Sequence, residues 1–576
     1  MDMDVERSNS PTPAPSSLVA ELDTVKKRWW RLRSRARRAL PAVCVVAATV
    51  LAIVVLSSAG DGWPTLPSNR VSVQDEPPSS NLTADQLLDG LLTAEFSSGS
   101  CRSRYEFASY HDKKKRNRPS HKPSPYLLGK LRRHEALQKR CGPGTAPYRA
   151  AIRQLKSGDG AVAADADDCR YLVSIPYQGL GNRMLATASA FLYAVLTERA
   201  VLIDHDVGAL FCEPFPGTTW LHPPSGWFGG GFPLAHLEDY DGDSKESLGN
   251  MLKANVLSVG ADGNATWSDG GHRPPYVYLH LEGRYDSDDK LFYCDEHQRL
   301  LRGAPWLLMK TDSYLVPGLF LVPSFQDELG KMFPEKDAAF HHLGRYLFHP
   351  VNDVWRAVTG YYGAHLAGAG QRVGLQIRVF NNKKQKLRHV LDQVLSCVRR
   401  EKLLLDDPPS KTAASNASVV VDQAVLVTSL TSWYYERISE AYGGDRRVHL
   451  HQPSHEGRQK WGDASHNGRA LSEMYLLSTC DVLVTTGFST FGYVAQGLGG
   501  LRPWIMPTTP MWLPDTGVVP DPPCVRAISV EPCFHSPSYY DCAARKGVDV
   551  SKVLPYVRRC EDVSWGIKIA NDSSQW

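Results

Sequence analysis

No G-x-x-x-x-G-K-[ST] phosphate loop, no G-x-S-x-G elbow and no H-E-x-x-H helix occurs in the 576 residues. The first absence weakens a luminal sulfotransferase, and the other two weaken serine-hydrolase and zinc-protease readings. No Cys-x-x-Cys occurs among the 12 cysteines, and Cys524, Cys533, Cys542 and Cys560 are too widely spaced for a zinc site. Net charge is almost missing, with 65 Lys/Arg against 61 Asp/Glu. The formal net charge is +4, and residues 1–38, with nine Lys/Arg against five acids, carry all of it. The remainder is formally neutral, which argues against a nucleic-acid partner at that scale. No long internal repeat is evident.

One charge-free apolar run is present, Ala39 to Leu56, 18 residues. As a helix it would span roughly 27 Å, about the thickness of a bilayer core. A secretory signal is the rival, but 38 preceding residues are long for its charged region and Ser57-Ser58-Ala59 is a weak cleavage site. The basic cluster before the run places 1–38 in the cytosol, with 39–57 as a single-pass anchor and everything after it in a lumen. Eleven cysteines fall on that side, where structural disulfides persist, and their odd number leaves one thiol free or pairing with another chain. The sequons at Asn81, Asn264, Asn416 and Asn571 suit the same compartment.

Residues 58–85 are rich in Ser and Pro and read as a stem. The basic stretch His111–Arg140 reads as a solvated helix face or as a rim for an anionic ligand. Tyr171–Tyr177, Met184–Glu198 and Val201–Ile203 form the first strand–helix–strand pattern. Its turn, Gln178-Gly179-Leu180-Gly181-Asn182-Arg183, lacks the third glycine of a dinucleotide fingerprint but sets Asn182 and Arg183 at a helix start. Residues 207–365 look loop-rich and aromatic, with Trp220, Trp227, Phe228, Tyr276 and Tyr278 serving as core or as sugar-stacking platforms.

From Val373 onward strands and helices alternate, implying a second, parallel sheet. The expected strands are Val373–Phe380, Ala424–Leu430, Val448–His451, Val482–Thr485 and Trp504–Met506. In the first, a period of two sets Val373, Leu375, Ile377 and Val379 on one face, and Gly374, Gln376 and Arg378 on the other. Arg378, near the carboxyl end, would grip a phosphate or form a buried ion pair, and Gly374 would let a ligand approach the backbone. After the fourth strand, Thr485, Thr486 and Gly487 form a turn, Ser489 and Thr490 stand where an N-cap belongs, and Phe491 begins a short helix. That arrangement offers backbone N–H groups to a phosphate, or is an ordinary capped crossover. The acidic stretches Asp204-His-Asp206, Asp239–Asp243 and Asp286–Asp289 invite a metal reading. Arg378 and the helix start would neutralise a diphosphate without one.

Together these residues resemble the plant cell-wall fucosyltransferases of the xyloglucan type. The matching segments are His121–Tyr126, Arg140–Thr145, Tyr177–Arg183, Leu210–Pro216, Gly374–Arg378 and Thr486–Tyr493. The resemblance implies a type II Golgi membrane enzyme of class α/β, with two Rossmann-like lobes in the GT-B arrangement. An acceptor-side lobe would span 86–365, a GDP-sugar lobe 366–535, and 536–576 a C-terminal extension. It implies GDP-fucose as donor, no metal or other cofactor, and inverting transfer to O2 of a galactosyl residue on a wall glycan. Arg378 corresponds to the family's diphosphate-binding arginine. Asp312, after Lys310-Thr311, corresponds to its functionally important aspartate. Donor contacts are then expected from Gln376, Arg378, Thr485, Thr486, Gly487, Ser489, Thr490 and Phe491, and donor or acceptor contacts from Gln178, Gly179, Gly181, Asn182 and Arg183. Arg183 serves equally as a structural helix-end pair. A membrane-anchored glycan-binding or assembly subunit without turnover is the alternative, and a homodimer is compatible with either.

Overall fold

The computed structural model describes residues 87–93, 96, 100–112, 121–158, 169–203, 208–224, 227, 231–259, 265–267, 274–282, 288–379, 387–405, 422–460, 462–508, 517–537, 542 and 554–571. The expected tail, anchor and stem, with Asn81, lie outside them, as do Asn264, Asn416 and Asp204–Asp206. Among the described residues no helix is long and apolar enough to cross a membrane.

Two parallel sheets organise the chain. The first contains β1 (Tyr171–Pro176) and β2 (Ala200–Ile203). A short hairpin, β3 (Leu257–Val259) and β4 (Ala265–Trp267), stands apart, and β5 (Tyr276–His280) and β6 (Trp306–Thr311) complete the sheet in the order β2-β1-β6-β5. The second contains β7 (Gln371–Gln376), β8 (Gln423–Thr428), β9 (Val448–His451), β10 (Val482–Thr486), β11 (Trp504–Met506) and β12 (Val525–Arg526), ordered β12-β11-β10-β7-β8-β9. All its pairings are parallel except that of β12 with β11. The strands are apolar on both faces because helices cover both faces. Val373, Leu375 and Ile377 enter one core while Gly374 and the opposite face meet another, the alternation that the period of two requires.

The stretch 207–365 departs from expectation. It holds β5, β6 and the helices Pro323–Met332, Ala339–Leu347 and Asn352–His365, not mainly loops. Trp220, Trp306 and Tyr278 are fully buried, so these aromatics are core. Their signal was masked because short buried segments carry no polar face to show a period. Trp227 is exposed, and Phe228 lies outside the described residues.

The helix Thr490–Gly499 is the hinge of the packing. Nearly every residue in it is buried. It lies against Leu180–Thr197 from the first sheet's layer, Ala464–Ser478 from the second, and Ala339–Leu347. One apolar core therefore runs through both sheets' inner layers. Disulfides Cys101–Cys212, Cys141–Cys169, Cys294–Cys542, Cys397–Cys524 and Cys533–Cys560 cross-link the body. Among the described residues Cys480 stands outside any disulfide, buried, with its thiol donating to the Leu476 carbonyl. The final hairpin, β13 (Val557–Arg559) with β14 (Ile567–Ile569), joins the same core through Val557, Ile567 and Ile569.

Candidate functional site at the facing switch points

In the first sheet the chain leaves β1 toward β2 on one side and returns as β6 on the other. In the second it leaves β7 toward β8 and β9, then returns as β10. Each sheet thus has a switch point, β1/β6 and β7/β10, and the carboxyl ends of such strands are where ligands of parallel sheets bind. Gln178–Arg183 and Asp312 follow β1 and β6. Arg378 and Ser489–Phe491 follow β7 and β10. The two sets touch. Thr490 Oγ1 donates to Asn182 Oδ1 at 2.9 Å, and Asn182 Nδ2 donates to the Asp312 carbonyl at 2.9 Å. A Cβ on Gly181 would lie 2.8 Å from the Thr490 carbonyl carbon, so only glycine permits this approach.

Arg378 leaves the sheet at the end of β7. Its backbone N–H donates to Thr486 Oγ1 at 2.9 Å, and that hydroxyl donates on to the Gln376 carbonyl at 3.2 Å. Its Nη2 donates to Gln459 Oε1 at 2.9 Å, a neutral acceptor. Burial pulls the guanidinium pKa below its ordinary value, the mark of a cation partly stripped of water. Beside it, Thr485 and Gln376 are buried, and Gln376 Oε1 has no hydrogen-bond partner among the described residues.

The turn after β10 is held from an unexpected direction. Phe488 is left-handed (φ 60°), its N–H donates to Asp562 Oδ2 at 2.7 Å, and its ring stacks on His535 at 4.2 Å. Gly487 N–H donates to the Met506 carbonyl at 2.8 Å. Tyr493 Oη donates to the same Asp562 oxygen at 2.5 Å. Asp562 and His535 were not foreseen: both lie beyond the last crossover, and no local pattern links them to residue 488. Ser489 occupies the N-cap position but makes no capping bond, which corrects the expected hydroxyl cap. The hydroxyl that is engaged belongs to Thr490, and it reaches across to Asn182 instead of back along its own helix. Gly374 is also corrected. A Cβ there would meet Leu477 at 2.8 Å and Cys480 at 3.2 Å, so its smallness serves helix-on-sheet packing, not a ligand.

On the other side of the seam, Asp312 accepts from Ser313 Oγ at 3.0 Å. Burial raises its pKa, hydrogen bonds from Ser313 and Tyr177 oppose that, and the Glu282 charge adds to it. Tyr177, also hydrogen-bonded to Glu282, has its phenol pushed up by burial and by Asp312 and Glu282. Lys310 pairs with Glu282 at 3.2 Å. Gln178 is exposed and left-handed (φ 70°), while Arg183 is buried at the helix start.

Other sequence features lie elsewhere. Asp241 and Asp243 form a hydrogen-bonded turn, and Asp289 accepts from Gly249 N–H. On the Pro125–Cys141 helix, Lys130 pairs with Glu328 and Arg132 with Glu135, while Arg133 and Lys139 are exposed, which is the solvated-face reading of that stretch. Asn571 donates from Nδ2, the nitrogen a glycan would take, to Asp337 at 2.6 Å. Among the described residues two of three metal-competent groupings use disulfide-bonded cysteines. The third, His121, Glu335 and Asp337, neighbours Gly500 at the far end of the Thr490 helix. A cavity of about 930 Å³ at the amino end of β5 is lined by Asn250, Met251 and Tyr276 and by none of the seam residues.

Two parallel sheets meeting by their carboxyl edges, with a half-buried arginine at one switch point and a half-buried carboxyl at the other, form the kind of site a two-lobed, nucleotide-dependent transferase needs. The description of the xyloglucan fucosyltransferase family matches residues 67–543, and the chain belongs to that family. It is 46% identical over 506 residues to a galactoside 2-alpha-L-fucosyltransferase of Pisum sativum, covering 86% of this chain and 84% of that one. A protein of the same name from Arabidopsis thaliana is 46% identical over 508 residues, with the same coverage. The solved structure of an Arabidopsis thaliana FUT1 point mutant in complex with GDP superposes with a TM-score of 0.73 at 45% identity, covering 84% of this chain and all of that one.

Proposed function

We propose that the chain is an inverting glycosyltransferase that moves L-fucose from GDP-fucose to O2 of a galactosyl residue on a plant cell-wall glycan such as xyloglucan. The meeting of the two switch points around Arg378 carries this reading, and the relatives' names and the GDP complex support it. Donor contacts are assigned to Arg378, Gln376 and the Thr485–Phe491 turn. The Gln178–Arg183 turn faces them from the acceptor side.

In the reaction, the acceptor O2 gives its proton to a base and attacks fucose C1 from the side opposite GDP. The bond from C1 to the diphosphate oxygen breaks, and its electron pair leaves with GDP. Arg378 and the backbone N–H groups at Ser489–Phe491 stabilise that developing charge, a preorganised electrostatic role. Asp312 is the base. Its carboxylate, raised by burial, holds a proton more readily than an exposed one. No metal is required in this scheme, since a guanidinium and a helix start supply the positive potential. Residues 39–57 anchor the protein in the Golgi membrane with the catalytic body in the lumen. The basic flank of that run and the five disulfides support this.

The test is transfer from GDP-fucose to galactosylated xyloglucan, with and without EDTA, by wild type and Arg378→Ala. Loss of about 10²–10³ in kcat with the fold intact is expected, the usual effect of removing one such donor. Near-normal turnover by Arg378→Ala sinks the assignment, and loss of wild-type activity in EDTA sinks the metal-free scheme.

A further inference from the structure

Gln459 belongs to neither sheet, yet it stands between both switch points. It is carried by the segment from Gln452 to Lys460, which leaves β9 and is tied down along its length. Ser454 Oγ donates to Glu473 Oε1 at 2.6 Å, Gly457 N–H to the Leu430 carbonyl at 2.6 Å, and Glu456 is clamped by His466 and Arg469. Four such attachments, at Ser454, Glu456 and Gly457, leave the segment little freedom to drift just before Gln459. Its two amide ends then face in different directions. Oε1 accepts from Arg378 Nη2 at 2.9 Å in the second lobe. Nε2 lies so close to the first lobe that a Cβ on Gly179 would sit 3.2 Å from it.

A guanidinium is planar, so a hydrogen bond at Nη2 restricts the orientations open to all its N–H groups together. An arginine that grips a diphosphate gains most when they are restricted beforehand, because less rotamer freedom is lost on binding. We propose that Gln459 is the positioning residue of the donor site. Its carbonyl sets the orientation of the Arg378 guanidinium, and its amide nitrogen keys that orientation to the Gly179 turn of the acceptor-side lobe. The inference rests on the reading of Arg378 as the diphosphate ligand. It explains why a glutamine suits the place: a carboxylate would neutralise the arginine, and a shorter amide would not span from Arg378 to Gly179.

Full-length enzyme in detergent, assayed with GDP-fucose and galactosylated xyloglucan, tests it through five variants. Gln459→Ala should raise the KM for GDP-fucose about tenfold, the scale of a lost hydrogen bond to a charged group, with acceptor KM and melting temperature held. Gln459→Glu should cost on the order of 10² in kcat/KM for the donor, because a fixed carboxylate competes with the diphosphate for the same cation. Gly179→Ala should raise donor KM about threefold by pushing the amide aside, and should add nothing in a Gln459→Ala background, since coupled residues are not additive. An unchanged donor KM in Gln459→Ala, normal transfer by Gln459→Glu, or full additivity of the double variant overturns the proposal. If Arg378→Ala alone retains turnover, the parent reading has failed. If Arg378→Ala is inactive while the Gln459 variants behave as wild type, only the positioning role has.

Discussion

Asn182, at the first turn after β1, accepts a hydrogen bond from Thr490, at the first turn after β10, across 308 residues of sequence and 2.9 Å of space. The two helix starts that each sheet aims at its own switch point therefore touch one another, with Gly181 packed on the Thr490 carbonyl. Thr490→Ala should cost about 0.5–1.5 kcal/mol in stability, the net worth of one such bond. Gly181→Ala should cost about 1–3 kcal/mol, because a methyl group 2.8 Å from main-chain carbon forces the helices apart. Thermal melting measures both, and transfer assays should show the larger loss in Gly181→Ala. Equal melting temperatures for the two variants would mean that the helices separate freely.

Two arginines six residues apart, one on β7 and one just past its end, should fail in opposite ways. Arg372 is buried and donates to Asp481 from Nε at 3.0 Å and from Nη2 at 2.8 Å. Removing the guanidinium leaves the half-buried Asp481 with the residue-372 backbone N–H as a donor, so Arg372→Ala should cost about 1–3 kcal/mol. Arg378→Ala should lose turnover and keep its melting temperature. Denaturant unfolding followed by a single activity assay on each variant separates the two. A stable Arg372→Ala would remove the contrast.

That contrast also shows what was legible beforehand. The alternation of Val373, Leu375 and Ile377 correctly puts Arg378 off the apolar face, and strand limits in the second sheet come out within a few residues because each is flanked by turn residues and a periodic helix. Several family motifs turn out to be local structure. Ser124 caps the helix starting at Pro125, and Thr145 caps the one starting at Ala146. What stayed hidden is non-local. Nothing near Gly374 announces that Leu477 and Cys480 will pack on it, and nothing near Phe488 announces Asp562. β5 and β6 were missed since buried strands lack the polar alternation that marks an exposed one.

Asp562 holds the turn through both Phe488 N–H and Tyr493 Oη, and its Oδ1 is buried without a partner among the described residues. Asp562→Ala leaves Tyr493 Oη with His535 Nε2 at 3.0 Å but strands the Phe488 N–H, on a left-handed residue that needs outside support. A loss of about 1–3 kcal/mol is expected, together with a raised KM for GDP-fucose. Asp562→Asn keeps an oxygen to accept with and should lose less of both. Melting curves and donor titrations on the pair are the measurement, and equal losses would point to charge in place of the hydrogen bonds.

Glu473 gives the protein a pH-dependent stability. It is buried beneath the Gln452–Lys460 segment, and burial pushes its carboxyl up to about 7, against the Ser454 hydrogen bond that pulls it down. A carboxyl whose folded pKa lies above its unfolded value costs nothing at low pH, where both states are protonated. From about pH 4.5 the unfolded chain ionises and the folded one does not, so stability falls as pH rises, levelling off above about 7 with a total of ~3 kcal/mol. Glu531, raised to about 8, slopes the same way, so the informative quantity is wild type minus variant. Glu473→Gln should match wild type near pH 4 and exceed it near pH 8 in denaturant unfolding. A difference that does not change between those two pH values would show that the carboxyl reaches water before the chain unfolds.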